Sequence, residues 1–224
     1  MFSSQTFDFL AELTANNRRD WFVANQARYE ALVREPALEF IAAMAPHLTR
    51  FAPHFRAEAK KAGGSLMRVF RDTRFSRDKS PYKTNVGIHF RHALGKDVHA
   101  PGYYVHLAAD GCFLGVGCWH PEPVALGRLR EAIAERPEQW FKVRNDPLFA
   151  ASFALSGDSL TRLPRGYAAD HPAREDLKRK DFIAIAPLVF DEVVAPELPA
   201  IVAQRFTAAT PLMTFLCSAL GVPA

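Results

Sequence analysis

The first fifty residues carry hydrophobic side chains at helical spacing. One stripe at the i, i+3, i+4 interval consists of Phe7, Leu10, Ala11 and Leu13. A serine at position 3 or 4 can cap this helix, and Asn16-Asn17 ends the pattern. We expect a second helix from about residue 20 to 34 and a third that begins near Pro36. The side chains expected to be buried in these two helices are Trp21, Phe22, Tyr29, Val33, Leu38, Ile41, Ala45 and Leu48.

The period changes to two after Ala62-Gly63-Gly64, which ends the helical part. This alternation predicts strands over residues 65–72, 86–91, 103–108 and 113–119, and in the second of them the core face consists of Val86, Ile88 and Phe90. Asp110-Gly111 between the last two runs favours a tight hairpin with a positive φ at its centre. Four strands with short links indicate a mostly antiparallel sheet.

Helical signals return in the second half of the chain. Pro123 and Pro137 each suit the first turn of a helix, and Pro211 separates two short helices between about residues 196 and 220. Residues 156–172 are rich in turn formers, and residues 180–188 can add one strand. The order predicts an α+β fold with a helical N-terminal part, a central sheet of four to five strands and a helical C-terminal part. We see no linker, so we expect one domain over residues 1–224.

Composition excludes several classes of protein. The chain has 224 residues with 49% hydrophobic, 12% aromatic and 23% charged content, which does not fit disordered, collagenous or coiled-coil chains. The longest apolar stretch, residues 182–190, is short and contains Pro187, and the N-terminus lacks the features of a signal peptide. We therefore expect a cytoplasmic protein without a membrane partner, whose three cysteines (Cys112, Cys118 and Cys217) are reduced core thiols.

The charge is concentrated in one segment. The whole chain has a formal net charge of +4, but residues 56–96 alone carry eleven basic and three acidic side chains, a net +8, so the remainder carries −4. A local basic segment on an acidic body favours a small anionic or phosphorylated partner. The basic residues are Arg56, Lys60, Lys61, Arg68, Arg71, Arg74, Arg77, Lys79, Lys83, Arg91 and Lys96.

Residues 68–85 contain the densest chemistry. Strand alternation over residues 65–74 places at least one arginine beside large apolar groups, where its charge needs a carboxylate or an anionic ligand. The expected ligand contacts are Arg68, Arg71, Arg74, Lys79, Tyr82 and Lys83. Asp72 and Asp78 can orient these cations or act as acid or base, and His106 is a further candidate for proton transfer. Pairing of both Arg71 and Arg74 with carboxylates, away from any cavity, would argue against this site.

Two other interpretations of the same segment stay open. It can bind nucleic acid, with Phe70, Phe75 or Tyr82 stacked on bases, although the interspersed acids count against a continuous phosphate track. It can also be a salt-bridge network in a non-catalytic scaffold or interaction module. The sequence therefore leaves open whether the protein is an enzyme. It also leaves open the oligomeric state.

Other chemical groupings carry weaker signals. The spacing of Cys112, Cys118 and His120 is unlike that of common zinc sites, and phosphate-loop and dinucleotide motifs are missing, so no metal or cofactor is expected. Gly115 and Gly117 alternate with Trp119 on one strand face. They can leave room for a ligand or for another backbone, but close packing by a helix is the favoured interpretation.

The run Arg-Asp-x-Arg-Phe-Ser-x-Asp-Lys-x-Pro-Tyr-Lys at residues 71–83 closely resembles the signature of the bacterial and fungal domain-of-unknown-function family 2461. The blocks at residues 16–22, 103–106, 115–121 and 211–213 are also similar to blocks of that family. The resemblance covers nearly the whole chain and implies a single domain of the same extent. It implies no particular reaction.

Overall fold

The computed structural model describes residues 1–95 and 100–224, in an α+β arrangement. The strands are β1 (Phe55–Arg56), β2 (Asn85–His92), β3 (Gly102–Ala108), β4 (Gly111–Cys118), β5 (Ala154–Ser156) and β6 (Phe182–Leu188). The helices before the sheet are α1 (Ser4–Ala15), α2 (Arg19–Ala24), α3 (Gln26–Tyr29) and α4 (Glu35–Phe51). The later ones are α5 (Pro123–Glu135), α6 (Pro137–Arg144), α7 (Pro147–Ser152), α8 (Arg174–Leu177), α9 (Phe190–Val194), α10 (Leu198–Ala208) and α11 (Thr210–Leu220).

The strands form one antiparallel sheet in the order β1-β2-β3-β4-β6-β5. The predicted α+β class is confirmed, but the sheet has six strands rather than four to five. The strands β1 and β5, two and three residues long, are too short to give a pattern that predicts them. Val86, Ile88 and Phe90 are buried as predicted. Helices pack on this face, where Phe206 of α10 lies against Phe90 and Tyr103. The opposite face carries the groove described below.

The N-terminal helices differ from the prediction in two respects. The first helix is capped by Ser3 as expected, but Ala11 is exposed, so including it in the buried stripe was wrong. A turn at Asn25 divides the second helix. The third helix, α4, has Pro36 in its first turn as predicted, and it follows the preceding helical turns without a break. A π-helical turn (Glu30–Arg34) precedes Pro36, which cannot donate the normal hydrogen bond to the carbonyl four residues earlier.

Residues 65–72 do not form the continuous strand that their alternation predicts. The first half pairs with the edge of β2, where Met67 N donates to the Gly87 carbonyl and Leu66 bridges to Ile88. The second half pairs with residues 81–83, and an isolated bridge joins Phe70 to Tyr82. Because the partner changes midway, no regular ladder develops.

The second half of the chain follows the prediction closely. Helices begin at Pro123 and Pro137, the strand expected at residues 180–188 is β6, and the tail forms α10 and α11. Ala108 pairs with Gly111 in the expected hairpin. The prediction of a positive φ at its centre is wrong, since no residue from 109 to 111 has one. Within residues 1–95 and 100–224, His120 is the one non-glycine residue with a positive φ.

The cysteines are free thiols. Cys118 and Cys217 are buried in the core as expected, whereas Cys112 is only partly buried and packs against the core from outside. In the described part of the chain, no single helix has the length and apolar character to cross a membrane. The bent pair α10 and α11 meets that test by length and composition only when the two helices are taken together, across a bend of 57°.

Candidate functional site

The segment from residue 68 to 83, which we call the motif arm, folds back on itself beside the sheet. Arg71 N donates to the Pro81 carbonyl, and Lys83 N donates to the Val69 carbonyl, so the two ends pair in antiparallel fashion. Residues 72–80 form the tip. Phe75 at the tip is 96% exposed. The arm is thus anchored at its base and open to solvent at its end.

Carboxylates of the arm neutralise two of its arginines. Asp78 pairs with Arg71, and Asp72 accepts from Arg74 Nη2 at 2.7 Å and from Nε at 3.0 Å. Hydrogen bonding to Arg74 lowers the pKa of Asp72 to about 2, and bonds from Ser80 and then Arg71 lower the pKa of Asp78 as well. Carboxylates held this far below neutral pH are weak bases. These four side chains therefore fit the structural network that the sequence left open.

Arg68 and Lys83 differ from the two paired arginines. Among the described residues, no carboxylate lies within ion-pair distance of either side chain, whereas Lys79 Nζ donates to the Thr73 carbonyl at 2.9 Å. Lys83 is half-buried, and burial together with the charge of Arg68 lowers its pKa. The base of the arm thus holds two neighbouring cations. Lys96, the last residue of the basic segment, lies outside the described residues.

Tyr82 anchors the arm to the N-terminal helices. The Asn17 side chain donates to the Tyr82 carbonyl at 2.9 Å and accepts from Tyr82 N at 3.0 Å. It thus makes the two backbone hydrogen bonds that a neighbouring strand would otherwise make. The Tyr82 ring is buried and stacks on Phe22 with 4.0 Å between ring centroids. Two blocks of sequence that are 65 residues apart meet here. A buried, stacked ring is not positioned to stack on a nucleic-acid base.

A groove of about 380 Å³ lies on the face of the sheet opposite the helices, in the middle strands. Gly115 is on its floor, where an added Cβ would lie 3.6 Å from Tyr104 Cβ. At Gly117, with φ of 111°, a Cβ would lie 2.1 Å from the Phe182 carbonyl oxygen. Helix packing, the favoured interpretation of these glycines, is therefore wrong: Gly115 opens the groove and Gly117 lets two strands approach. The walls include Met67, His89, Tyr104, Phe113, Trp119 and Ile185.

The polar groups of the groove lie at its β2 and β3 side. His106 Nδ1 is 3.2 Å from the Tyr104 hydroxyl and 3.4 Å from Asn85 Nδ2, and the His106 ring stacks on Phe113. Burial lowers the pKa of His106, and it lowers the pKa of His89 to about 4, with Arg91 adding to the effect. Neutral imidazoles can donate and accept. His106 thus belongs to the groove, whereas Asp72 and Asp78 belong to the arm tip and do not form a common site with it.

The sequence reasoning missed a buried carboxylate beside the groove. Asp181 accepts from His120 N at 2.7 Å and from Asp158 N at 3.0 Å, and its Oδ1 is 2.8 Å from His120 Nδ1. The His120 ring stacks on Trp119, which lines the groove. Since Asp181 is 61 residues from His120, no local spacing could have predicted this pair.

The chain belongs to the family described as conserved hypothetical protein (DUF2461), whose model matches residues 5–215. No curated protein and no solved structure matches it. Within residues 1–95 and 100–224, no group of three or more His, Cys, Asp or Glu side chains is arranged to hold a metal ion. The family description names no reaction, substrate or ligand.

Proposed function

We propose that the protein binds a small anionic ligand, one that carries a phosphoryl or carboxylate group, at the base of the motif arm. The observation that carries the proposal is the pair Arg68 and Lys83, which lie close together and have no carboxylate within ion-pair distance in the described part of the chain. Asp72 interacts with Arg68 electrostatically, but its hydrogen bonds go to Arg74. The pairing of Arg71 and Arg74 with carboxylates argues against the six-residue site expected from the sequence. The proposed ligand set is therefore limited to Arg68 and Lys83, since Lys79 also has a partner on the arm.

The physical argument is one of charge compensation. Placing two cations side by side and partly burying one of them is unfavourable unless an anion joins them. Arginine offers a planar fork of donors to a phosphate or carboxylate, and lysine adds a movable point charge. The neutralised pairs Arg71–Asp78 and Arg74–Asp72 then serve to hold the arm in shape. Whether a reaction follows binding depends on groups other than the weakly basic Asp72 and Asp78.

Nucleic-acid binding is the second candidate, because Phe75 is almost fully exposed beside basic residues. The Arg74 guanidinium lies 5.9 Å from the centroid of the Phe75 ring, and Phe70 is also exposed. Exposed aromatic rings among cations suit stacking on single-stranded bases. Neutralisation of Arg71 and Arg74 reduces the phosphate-binding charge, so we rank this function below the binding of a small anion.

Thermal-shift and calorimetric titrations with inorganic phosphate, pyrophosphate, citrate and ribose 5-phosphate test the first proposal. Ligand at about 100 times its Kd should stabilise the native state by about 2.7 kcal/mol. Arg68→Gln and Lys83→Met should each weaken binding by about 10-fold or more, as expected for loss of a charge-assisted hydrogen bond. Arg77→Gln, which removes one positive charge from the exposed tip, is the matched control and should bind as the wild type does.

The same variants separate the alternatives. Loss of affinity for single-stranded RNA in Phe75→Ala, with a strong dependence on salt, would favour the nucleic-acid function. If none of the four anions stabilises the wild type, or if Arg77→Gln weakens binding as much as Lys83→Met does, the base of the arm is not the binding site. Lower stability of Lys83→Met without any ligand response would favour the scaffold interpretation.

A further inference from the structure

The groove on the open face of the sheet is a second candidate site, apart from the arm. Its volume of about 380 Å³ lies within the range of ligand pockets, roughly 300–1,000 Å³. The cavity exists because the floor position 115 has no side chain, while the neighbouring positions on the same face carry large rings. Ordinary strand packing would place a β-branched residue at such a position.

The walls favour a flat apolar ligand. Tyr104, Phe113 and Trp119 present ring faces or edges to the cavity, and Ile183 and Ile185 provide an aliphatic side opposite. Trp119 is 55% exposed, which is unusual for a side chain of this size. A planar ring bound between these walls would cover apolar surface and gain aromatic contacts of about 0.5–1.5 kcal/mol each.

The charges favour a neutral ligand with hydrogen-bonding atoms. Among the residues that line the groove there is no Asp, Glu, Lys or Arg. Burial lowers the pKa of His89 and of His106, and a neutral imidazole has one donor and one acceptor nitrogen. Because His106 Nδ1 already contacts the Tyr104 hydroxyl and Asn85, His106 offers its Nε2 to a ligand. The Tyr104 hydroxyl adds a third polar group next to His106. These groups lie along one side of the groove and match the edge of a nitrogen-containing ring.

From these observations we infer that the open face of the sheet is a binding site for a neutral, planar heteroaromatic molecule, which lies on Gly115 between Tyr104 and Trp119 and is hydrogen-bonded by the histidines. This inference does not depend on anion binding by Arg68 and Lys83. It gives the protein a recognition site for a ring of the kind found in bases, nicotinamides and related compounds.

Saturation-transfer NMR and tryptophan fluorescence with adenine, nicotinamide and benzene as probes test the inference. Adenine or nicotinamide should bind at least about tenfold more tightly than benzene, because only they can use the polar edge. Gly115→Val should abolish binding, since its added atoms occupy the floor, and the Cβ itself meets only an ordinary contact at 3.6 Å. Gly111→Val on the same strand, where nothing lies within 4 Å, should retain it.

The variants also separate this inference from the function proposed above. Gly115→Val should leave phosphate or pyrophosphate binding unchanged, and Lys83→Met should leave adenine binding unchanged. If Gly115→Val does not fold, Ile185→Trp fills the groove from the opposite wall and should have the same effect. No transfer to any probe at millimolar concentration, equal binding of benzene and adenine, or full binding by a folded Gly115→Val protein would each overturn the inference.

Discussion

His89 should make the stability of this protein depend on pH in a way that one substitution can isolate. The imidazole lies on the groove face of β2, where burial, and then the charge of Arg91, lowers its pKa from 6.5 to about 4. In the unfolded chain the same group takes up a proton at about pH 6.5. Between these two values the unfolded state binds more protons than the folded state, so stability falls as pH decreases.

The magnitude follows from the two pKa values. Between about pH 7.5 and pH 5, protonation stabilises the unfolded chain by about 2 kcal/mol and leaves the folded protein nearly unaffected. The full effect, reached below about pH 4, is about 3 kcal/mol. Because folding lowers the pKa of His89, the folded protein is most stable above pH 6.5 and loses stability as the pH falls from 6.5 to 4. For a domain of marginal stability this is a large fraction of the total.

Urea unfolding followed by circular dichroism at several pH values measures the effect. His89→Gln should lose about 2 kcal/mol less than the wild type between about pH 7.5 and pH 5, because glutamine does not titrate. His54→Gln, which removes an exposed imidazole near β1, provides the comparison. Parallel pH profiles for the wild type and His89→Gln, or equal changes in both variants, would refute the assignment of the effect to the burial of His89.

Three further predictions concern the contacts that shape the two sites. Asn17→Ala should destabilise the protein by about 1–3 kcal/mol in urea unfolding, because the backbone of Tyr82 loses both of its partners; unchanged stability would contradict the role of this clamp. Asp181→Ala should cost about 3 kcal/mol or more, since backbone N–H groups lose a buried acceptor, and a melting temperature equal to that of the wild type would disprove this. Gly117→Ala should cost more than about 2 kcal/mol and Gly115→Ala less than about 1 kcal/mol, because only Gly117 combines positive φ with a backbone contact; similar losses in both would be inconsistent with the geometry.

The fold was predictable where local pattern and tertiary packing agree. The alternation of Val86, Ile88 and Phe90 specifies both a strand and its buried face, and the prolines at 123 and 137 mark helix starts. The fold was not predictable where the structure of a segment depends on which distant segment it pairs with. Residues 65–72 alternate as a strand does, yet they divide their hydrogen bonds between β2 and residues 81–83, and no local sequence signal records such a change.

The candidate sites were predictable only in part. Composition located the basic segment, but the sequence could not tell which cations have carboxylate partners, because Arg71 pairs across the tip with Asp78 and Arg68 has no such partner in the described residues. The groove depends on the register of β2, β3 and β4, which brings His89 opposite Tyr104 and Gly115 opposite the same tyrosine. Each of these residues is ordinary in isolation, and only the pairing of the strands creates the cavity.

The sequence blocks that resemble those of the family differ in how far packing explains them. The block at 16–22 and the motif arm meet at Tyr82, and the block at 211–213 contributes Leu212 and Met213 to the core, so packing explains these contacts. In the block at 115–121, packing explains Gly117 and the buried Cys118, but it does not explain the open floor at Gly115 or the exposed Trp119. A glycine inside a strand weakens the sheet, and the exposed part of the Trp119 ring, just beyond the end of β4, leaves apolar surface uncovered unless another molecule binds there. This uncovered apolar surface is the main support for the ligand site that we infer at the groove.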